Sequence, residues 1–196
     1  MALAARDFTL SADRVLSSRV LLEACENYQK QSYRNRCYIL ASDGPQMLQV
    51  PVVHGPSLAI RDVRVDYSTP WVVRTQRALD TAYETAAYYE YYRDGVFALL
   101  DARPATLWEL NLSTIRFLLE KTGVACELSP TTAFAAPDTQ PDDYRFTLHP
   151  KRPEPAHERP YYQVFRDRLG GFTPKLSCLD LLFNEGPDSI LWLKPL

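Results

Sequence analysis

From Pro70 to Gly123 the sequence reads as three successive helices, and this run limits the fold more than any other feature. Ser68-Thr69-Pro70 is a good helix start, because proline has no backbone donor to lose in the first turn. The pattern then runs to Tyr83, with Trp71, Ala78, Leu79 and Ala82 able to share an inward face. A second stretch holds Tyr88, Tyr89, Tyr91 and Tyr92 and continues through Val96, Phe97, Leu99 and Leu100. A third spans Thr106 to Lys121, with Leu107, Leu110, Ile115, Leu118 and Leu119 near helical spacing and Gly123 as its stop.

Strand-like runs flank this helical block. Arg19 to Glu23 is a compact apolar run that reads as a buried strand, and Cys37 to Leu40 reads as another. Asp43-Gly44-Pro45 is turn chemistry, so Met47 to Val53 is expected as the hairpin partner. Pro51 gives no ladder donor and marks that strand as an edge or a bulge. Residues 60–66 alternate and predict a half-exposed strand, and residues 125–135 predict one more. Residues 137–160, rich in Pro, Asp and Arg, predict an extended loop. Ser177-Cys-Leu-Asp180 opens a last helix, with Leu176 and Leu181 placed as a hydrophobic staple and Gly186-Pro187 as the stop. The expected architecture is an α/β fold over residues 1–196 as a single domain. A central mixed sheet is flanked by helices, and the long Pro-rich loop precedes the C-terminal helix.

Charge and composition exclude several functions. The 22 Lys and Arg against 24 Asp and Glu leave a net charge of -2, which argues against a general nucleic-acid binder. No apolar run approaches a membrane span, and no signal peptide is read at the start, so a cytoplasmic location is expected. The seven glycines form neither a G-x-G-x-x-G nor a G-x-x-x-x-G-K loop. His54, His149 and His157 make no helical zinc pair. Cys25, Cys37, Cys126 and Cys178 make no C-x-x-C pair and read as reduced thiols.

The densest polar cluster is residues 26–36, directly after the first strand. Ligands of open α/β sheets bind beyond the carboxyl ends of strands. Lys30, Arg34 and Arg36 suit a phosphate or carboxylate, and Asn27 and Asn35 suit amide or hydroxyl groups. Local ion pairing with Glu23 and Glu26 is the plainer reading of the same residues. Tyr161 and Tyr162 re-enter the fold after the Pro-rich loop, either as a substrate wall or as anchors for the returning chain. Asp180 is a candidate acid or base, although helix capping accounts for it equally. Cys178 with His149 would form a nucleophile pair only if the fold brought them together, and a buried, inert thiol is the better reading. Lys175 before the last helix suits an anion at a helix N-terminus.

Several stretches carry a family likeness in order. They are Glu26-Asn-Tyr-Gln-Lys-Gln-Ser-Tyr-Arg-Asn-Arg-Cys37, Val50-Pro-Val-Val53, Asp66-Tyr-Ser-Thr-Pro-Trp71, Tyr161-Tyr-Gln-Val-Phe165 and the L-S-x-x-D-L-L-x-N-x-G tract from Leu176 to Gly186. The chain from about Val20 to its end is similar to the WbqC-like family of bacterial proteins, found among surface-polysaccharide and O-antigen biosynthesis genes. The resemblance implies an enzyme of surface-glycan biosynthesis that transfers a glycyl or other acyl group to a sugar or nucleotide-sugar. Residue by residue it marks Asn27, Lys30, Arg34, Asn35, Arg36, Ser177, Asp180 and Asn184 without assigning roles; Asp180 is read as the catalytic candidate and the others as substrate contacts. The implied partner is a small-molecule substrate. Cofactor, metal, acyl donor and oligomeric state are left open. A non-catalytic glycan- or partner-binding subunit, or an inactive truncated member, is the alternative. One departure stands out: the family's Pro- and aromatic-rich opening is missing from residues 1–18, where Phe8 is the only aromatic. A misassigned start, a frameshift or genuine divergence would each explain it.

Overall fold

The computed structural model describes residues 19–53, 55, 58–134, 136 and 159–193. The expectations for the altered N-terminal stretch and the Pro-rich loop therefore fall outside the described residues, as do all three histidines. The fold is α/β. Its strands, however, form two separate two-stranded sheets among the described residues. β1 (Arg19–Leu22) pairs in parallel with β4 (Glu127–Pro130), in the register Arg19 with Glu127. β2 (Arg36–Ala41) pairs antiparallel with β3 (Gly44–Gln49), with Arg36 opposite Gln49 and Ala41 opposite Gly44.

The hairpin turn is Ser42-Asp43, and Gly44 follows at a φ of 125°, a backbone conformation that a side chain would strain. β3 ends before Pro51, earlier than the hydrophobic run suggests. The chain beyond it switches partner: Val53 N–H donates to the Arg64 carbonyl, and Asp66 N–H donates to that of Pro51. The alternation at residues 60–66 produces no continuous strand. Ile60–Asp62 is a 3-10 turn, and only Arg64 and Val65 make bridges, with Thr106 and Val52. The buried and exposed faces still alternate as expected at Val63, Arg64 and Val65. β1 also departs from expectation, since its residues are only half-buried or exposed, with Leu21 59% exposed. Its pairing with β4 covers one edge, and the faces of a strand are covered only by a layer packed on them.

The three central helices follow the sequence closely. α1 (Trp71–Tyr83) buries Trp71, Val72, Thr75, Leu79, Ala82 and Tyr83, with Pro70 as its N-cap. α2 (Tyr89–Asp101) buries Tyr89, Val96 and Leu100. α3 (Leu107–Thr122) opens with a capping box, in which the Thr106 hydroxyl accepts from Glu109 N–H while the Glu109 carboxylate accepts from Thr106 N–H. It closes on Gly123 in the left-handed region.

α4 (Cys178–Glu185) is the centre of the molecule. Every residue from Cys178 to Asn184 is buried, as expected of a helix surrounded on all sides. It packs against β2, α2 and α3. Phe183 meets Tyr83 at 5.0 Å and Tyr89 edge-on at 4.9 Å. Leu176 and Leu181 are both buried, which fits the expected staple. Gly186 caps α4 at a φ of 54°, and α5 (Ser189–Leu193) follows a 3-10 turn.

Candidate functional site

The polar residues singled out by sequence settle into two clusters. The first is built on the chain after β1. Ile60 N–H donates to the Glu26 carbonyl and Tyr28 N–H to the Leu58 carbonyl, with Asn27 and Ala59 bridged between them. This extended pairing fixes the residues around Glu26, which is buried. Arg34 reaches back across the turn, and its Nε donates to Glu26 Oε1 at 2.7 Å. Its Nη2 also lies on Oε1, so two nitrogens of the one guanidinium group converge on one oxygen. Glu26 Oε2 has no hydrogen-bond partner and is closed off from solvent.

Arg36, Asn35 and Ser32 brace this turn. Ser32 caps the 3-10 turn Tyr33–Asn35, and Arg36 Nε donates to the Ser32 carbonyl at 3.0 Å. Asn35 is buried, donates from Nδ2 to the Val50 carbonyl and accepts Val50 N–H on its own carbonyl. It clamps the chain at the end of β3. Asn111 of α3 ties the Arg34 carbonyl to the helical layer at 2.9 Å.

A cleft of about 450 Å³ opens beside this cluster, lined by Cys25, Glu26, Asn27, Tyr28, Gln29 and Phe134. Burial pushes the Tyr28 hydroxyl pKa up, while the positive charges of Arg36 and Arg34 pull it down. Both arginines therefore project positive potential toward the cleft wall. Of the residues expected to bind substrate, Asn27 lines the cleft, Arg34 acts on it through Glu26, and Lys30 is exposed on the same segment. Glu26, Tyr28, Gln29 and Phe134 were not singled out by sequence. Glu26 in particular reads there only as a local counter-ion.

The second cluster centres on Asp180, which is fully buried. Tyr83 donates its hydroxyl to Oδ1 at 2.6 Å, and Tyr161 donates to Oδ2 at 2.7 Å. Gln163 Nε2 also donates to Oδ2, and the rest of its amide holds the Thr173 backbone. The Tyr83 oxygen in turn accepts Leu40 N–H from β2. Asn184 Nδ2 donates to the Asp180 carbonyl one turn earlier, and its Oδ1 is buried and unpaired. Ser177 caps α4 by accepting Leu179 N–H, while its own N–H donates to the Tyr38 carbonyl.

The capping of α4 is done by Ser177, and Asp180, the expected candidate acid or base, is enclosed by hydrogen-bond donors. Its oxygens hold tyrosines from α1 and from the chain that returns after the Pro-rich loop. Tyr161 belongs to that network, whereas Tyr162 is 56% exposed and donates its N–H to Glu185. Lys175 is exposed at a φ of 74°. Cys178 is buried, and His149 lies outside the described residues.

No residue of the second cluster lines the cleft beside Glu26. The first cluster adjoins the start of β2 at Arg36, and the second reaches β2 at Leu40. At about 3.3 Å per strand residue, that separates them by roughly 13 Å along the strand. No group of three or more potential metal ligands occurs among the described residues. None of their helices is long and apolar enough to cross a membrane.

Comparison with known proteins places this arrangement. A model described as the WbqC-like protein family matches residues 14–149. The chain belongs to the WbqC-like family. The matched span contains β1 through β4, and with them the Glu26–Arg34 cluster and its cleft, but stops before the Asp180 helix. Rv1507c of Mycobacterium tuberculosis, an uncharacterized protein, is 26% identical over 194 residues, covering 85% of this WbqC-like chain and 84% of that protein. No solved structure matches it.

Proposed function

We propose that the protein is an enzyme of surface-glycan biosynthesis that holds a sugar or nucleotide-sugar in the Glu26 cleft and transfers a glycyl or other acyl group to it. Membership of the WbqC-like family supports the glycan context. The cleft supports the ligand class, and it is the observation on which the reading rests. Its volume falls within the usual range for small-molecule sites. Its lining combines two amides, a carboxylate held by arginine and two aromatic rings. Such a set recognises a ligand that is polar at its edges and apolar on its faces, which describes a sugar ring. Lys30, Arg34 and Arg36 supply positive charge for a phosphate or another anionic part of the ligand.

In the transfer, an amino or hydroxyl group of the sugar attacks the acyl carbonyl carbon. A new C–N or C–O bond forms, the bond from the carbonyl carbon to the donor's leaving group breaks, and that group departs carrying the nucleophile's proton. In this reading Asp180, Asn184 and Ser177 hold the central helix in place, at a distance from the cleft.

A thermal-shift screen with nucleotide-sugars, free sugars, amino acids and acyl-thioesters tests the proposal. A ligand at about a hundred times its Kd adds roughly 2.7 kcal/mol. For a chain of this size that is a Tm rise of about 5–10 °C. A rise with a sugar or nucleotide-sugar, lost when Arg34 and Arg36 are both replaced by alanine in a protein that still folds, supports the reading. No rise with any sugar-bearing ligand overturns it in favour of a non-catalytic subunit.

A further inference from the structure

Glu26 Oε2 is a buried carboxylate oxygen without a partner, in a side chain otherwise fully engaged. An arginine fork normally gives each carboxylate oxygen its own donor. Here Arg34 directs Nε and Nη2 onto Oε1 alone. Leaving a buried acceptor empty is costly, and native folds rarely do so without a reason. Glu26 itself is 7% exposed and lines the cleft. We propose that Oε2 is the acceptor reserved for a neutral hydroxyl of a sugar ring bound in the cleft, with the ring seated against Tyr28 and Phe134. This inference rests on the glycan reading of the cleft and names the contact that would select its ligand.

Charge decides between a hydroxyl and an ammonium. Arg34 already neutralises Glu26, and Arg36 adds a further positive charge that acts on Tyr28 in the cleft wall. A cationic ligand would meet a positive surplus, whereas a neutral O–H donor meets only the unfilled acceptor. The last torsion of a glutamate is broad and nearly two-fold. Contact with Oε2 therefore requires the carboxylate to turn from its closed position toward the cleft that Glu26 lines. Asn27 and Gln29 are placed to take neighbouring hydroxyls.

The test uses the full chain and a panel of methyl glucoside, galactoside and mannoside with their monodeoxy analogues, followed by saturation-transfer NMR and titration. Glu26→Gln retains an oxygen for Arg34 and turns the free acceptor into a donor. The expected result is that one glycoside binds and that Glu26→Gln weakens it about tenfold or more, as for a lost hydrogen bond to a charged group. One monodeoxy analogue should weaken similarly with the native protein and show no further loss with Glu26→Gln. Equal binding by the native protein and a folded Glu26→Gln overturns the inference and leaves the glycan reading standing. No binding of any glycoside overturns both. If Glu26→Gln does not fold, the deoxy series on the native protein decides, and the inference fails if no single hydroxyl matters. Tighter binding of a protonated amino-sugar glycoside than of its neutral counterpart also overturns it.

Discussion

Replacing Tyr83 and Tyr161 separately by phenylalanine tests whether Asp180 organises the core. Each change removes one hydroxyl and little volume. Tyr161 donates to an oxygen that also receives Gln163, so Tyr161→Phe leaves Oδ2 with a donor. Its cost is one hydrogen bond to a charged group, about 1.5–3 kcal/mol and nearer the lower end. Tyr83 donates to Oδ1 and at the same time accepts Leu40 N–H, and Leu40 is 1% exposed. Tyr83→Phe removes a comparable bond and also strands a buried backbone donor, which adds about 1–3 kcal/mol. The variants should therefore differ by about 2 kcal/mol, with Tyr83→Phe the less stable. In a chain of this length that gap is about 4–8 °C in Tm. Urea unfolding followed by circular dichroism measures both, with similar m-values expected because the surface exposed on unfolding hardly changes. Equal losses, or a larger loss for Tyr161→Phe, would refute the idea that the Tyr83 hydroxyl joins β2 to α4 through Asp180.

Two further outcomes follow from single positions. Gly186→Ala should cost about 2–4 kcal/mol, because a Cβ there would sit 2.5 Å from the Tyr88 ring at a φ of 54°. Gly123→Ala, at a φ of 70° with open space around it, should cost only about 1 kcal/mol, and similar Tm losses for the two would contradict this packing. Burial pushes the Cys37 thiol up to about 11, so the neutral thiol is the favoured folded form. Its contribution to stability is complete below the ordinary thiol value of about 8.5 and is lost as pH rises through the folded value. Cys37 should accordingly resist iodoacetamide at pH 8 in the native protein and react on unfolding, as mass spectrometry of the labelled peptides would show; rapid native labelling would count against its burial.

Elements whose signals are local were legible in the sequence. Thr106 and Glu109 are three residues apart and form the capping box on their own. Gly123 and Gly186 stop their helices through conformations that lie within one residue. Ser177 and Leu176 likewise announced α4. The strands were harder to read, because a strand depends on what lies beside it. The apolar run at Arg19–Leu22 reads as buried, yet its one described neighbour leaves Leu21 exposed. At residues 60–66 the alternation correctly marks Val63 and Val65 as inward. It could not show that Ile60 N–H would be taken by Glu26 and that the chain would turn there. Hydrophobic period reports which side faces inward, and it is silent about which backbone supplies the partner.

The candidate site divides along the same line. Asp180 stood out as a candidate acid or base, Tyr161 as a residue re-entering after the Pro-rich loop and Asn184 through the family likeness, but none of these signals separates a reacting carboxylate from a structural one. The distinction lies with Tyr83, 97 residues away in the chain, whose hydroxyl fills Oδ1. Glu26 is the opposite case. In the sequence it was one acidic residue among arginines, adequately explained as a counter-ion. Only the geometry of Arg34, with both contacts on Oε1, leaves Oε2 empty beside a cleft. Satisfaction of acceptors separates the two carboxylates better than burial or residue type does. Asp180 is the more deeply buried, yet its partners account for it, whereas Glu26 keeps one carboxylate oxygen unpaired. Under the proposed function, the unpaired acceptor on Glu26 puts the substrate contact on the segment after β1, within the span matched by the WbqC-like family model.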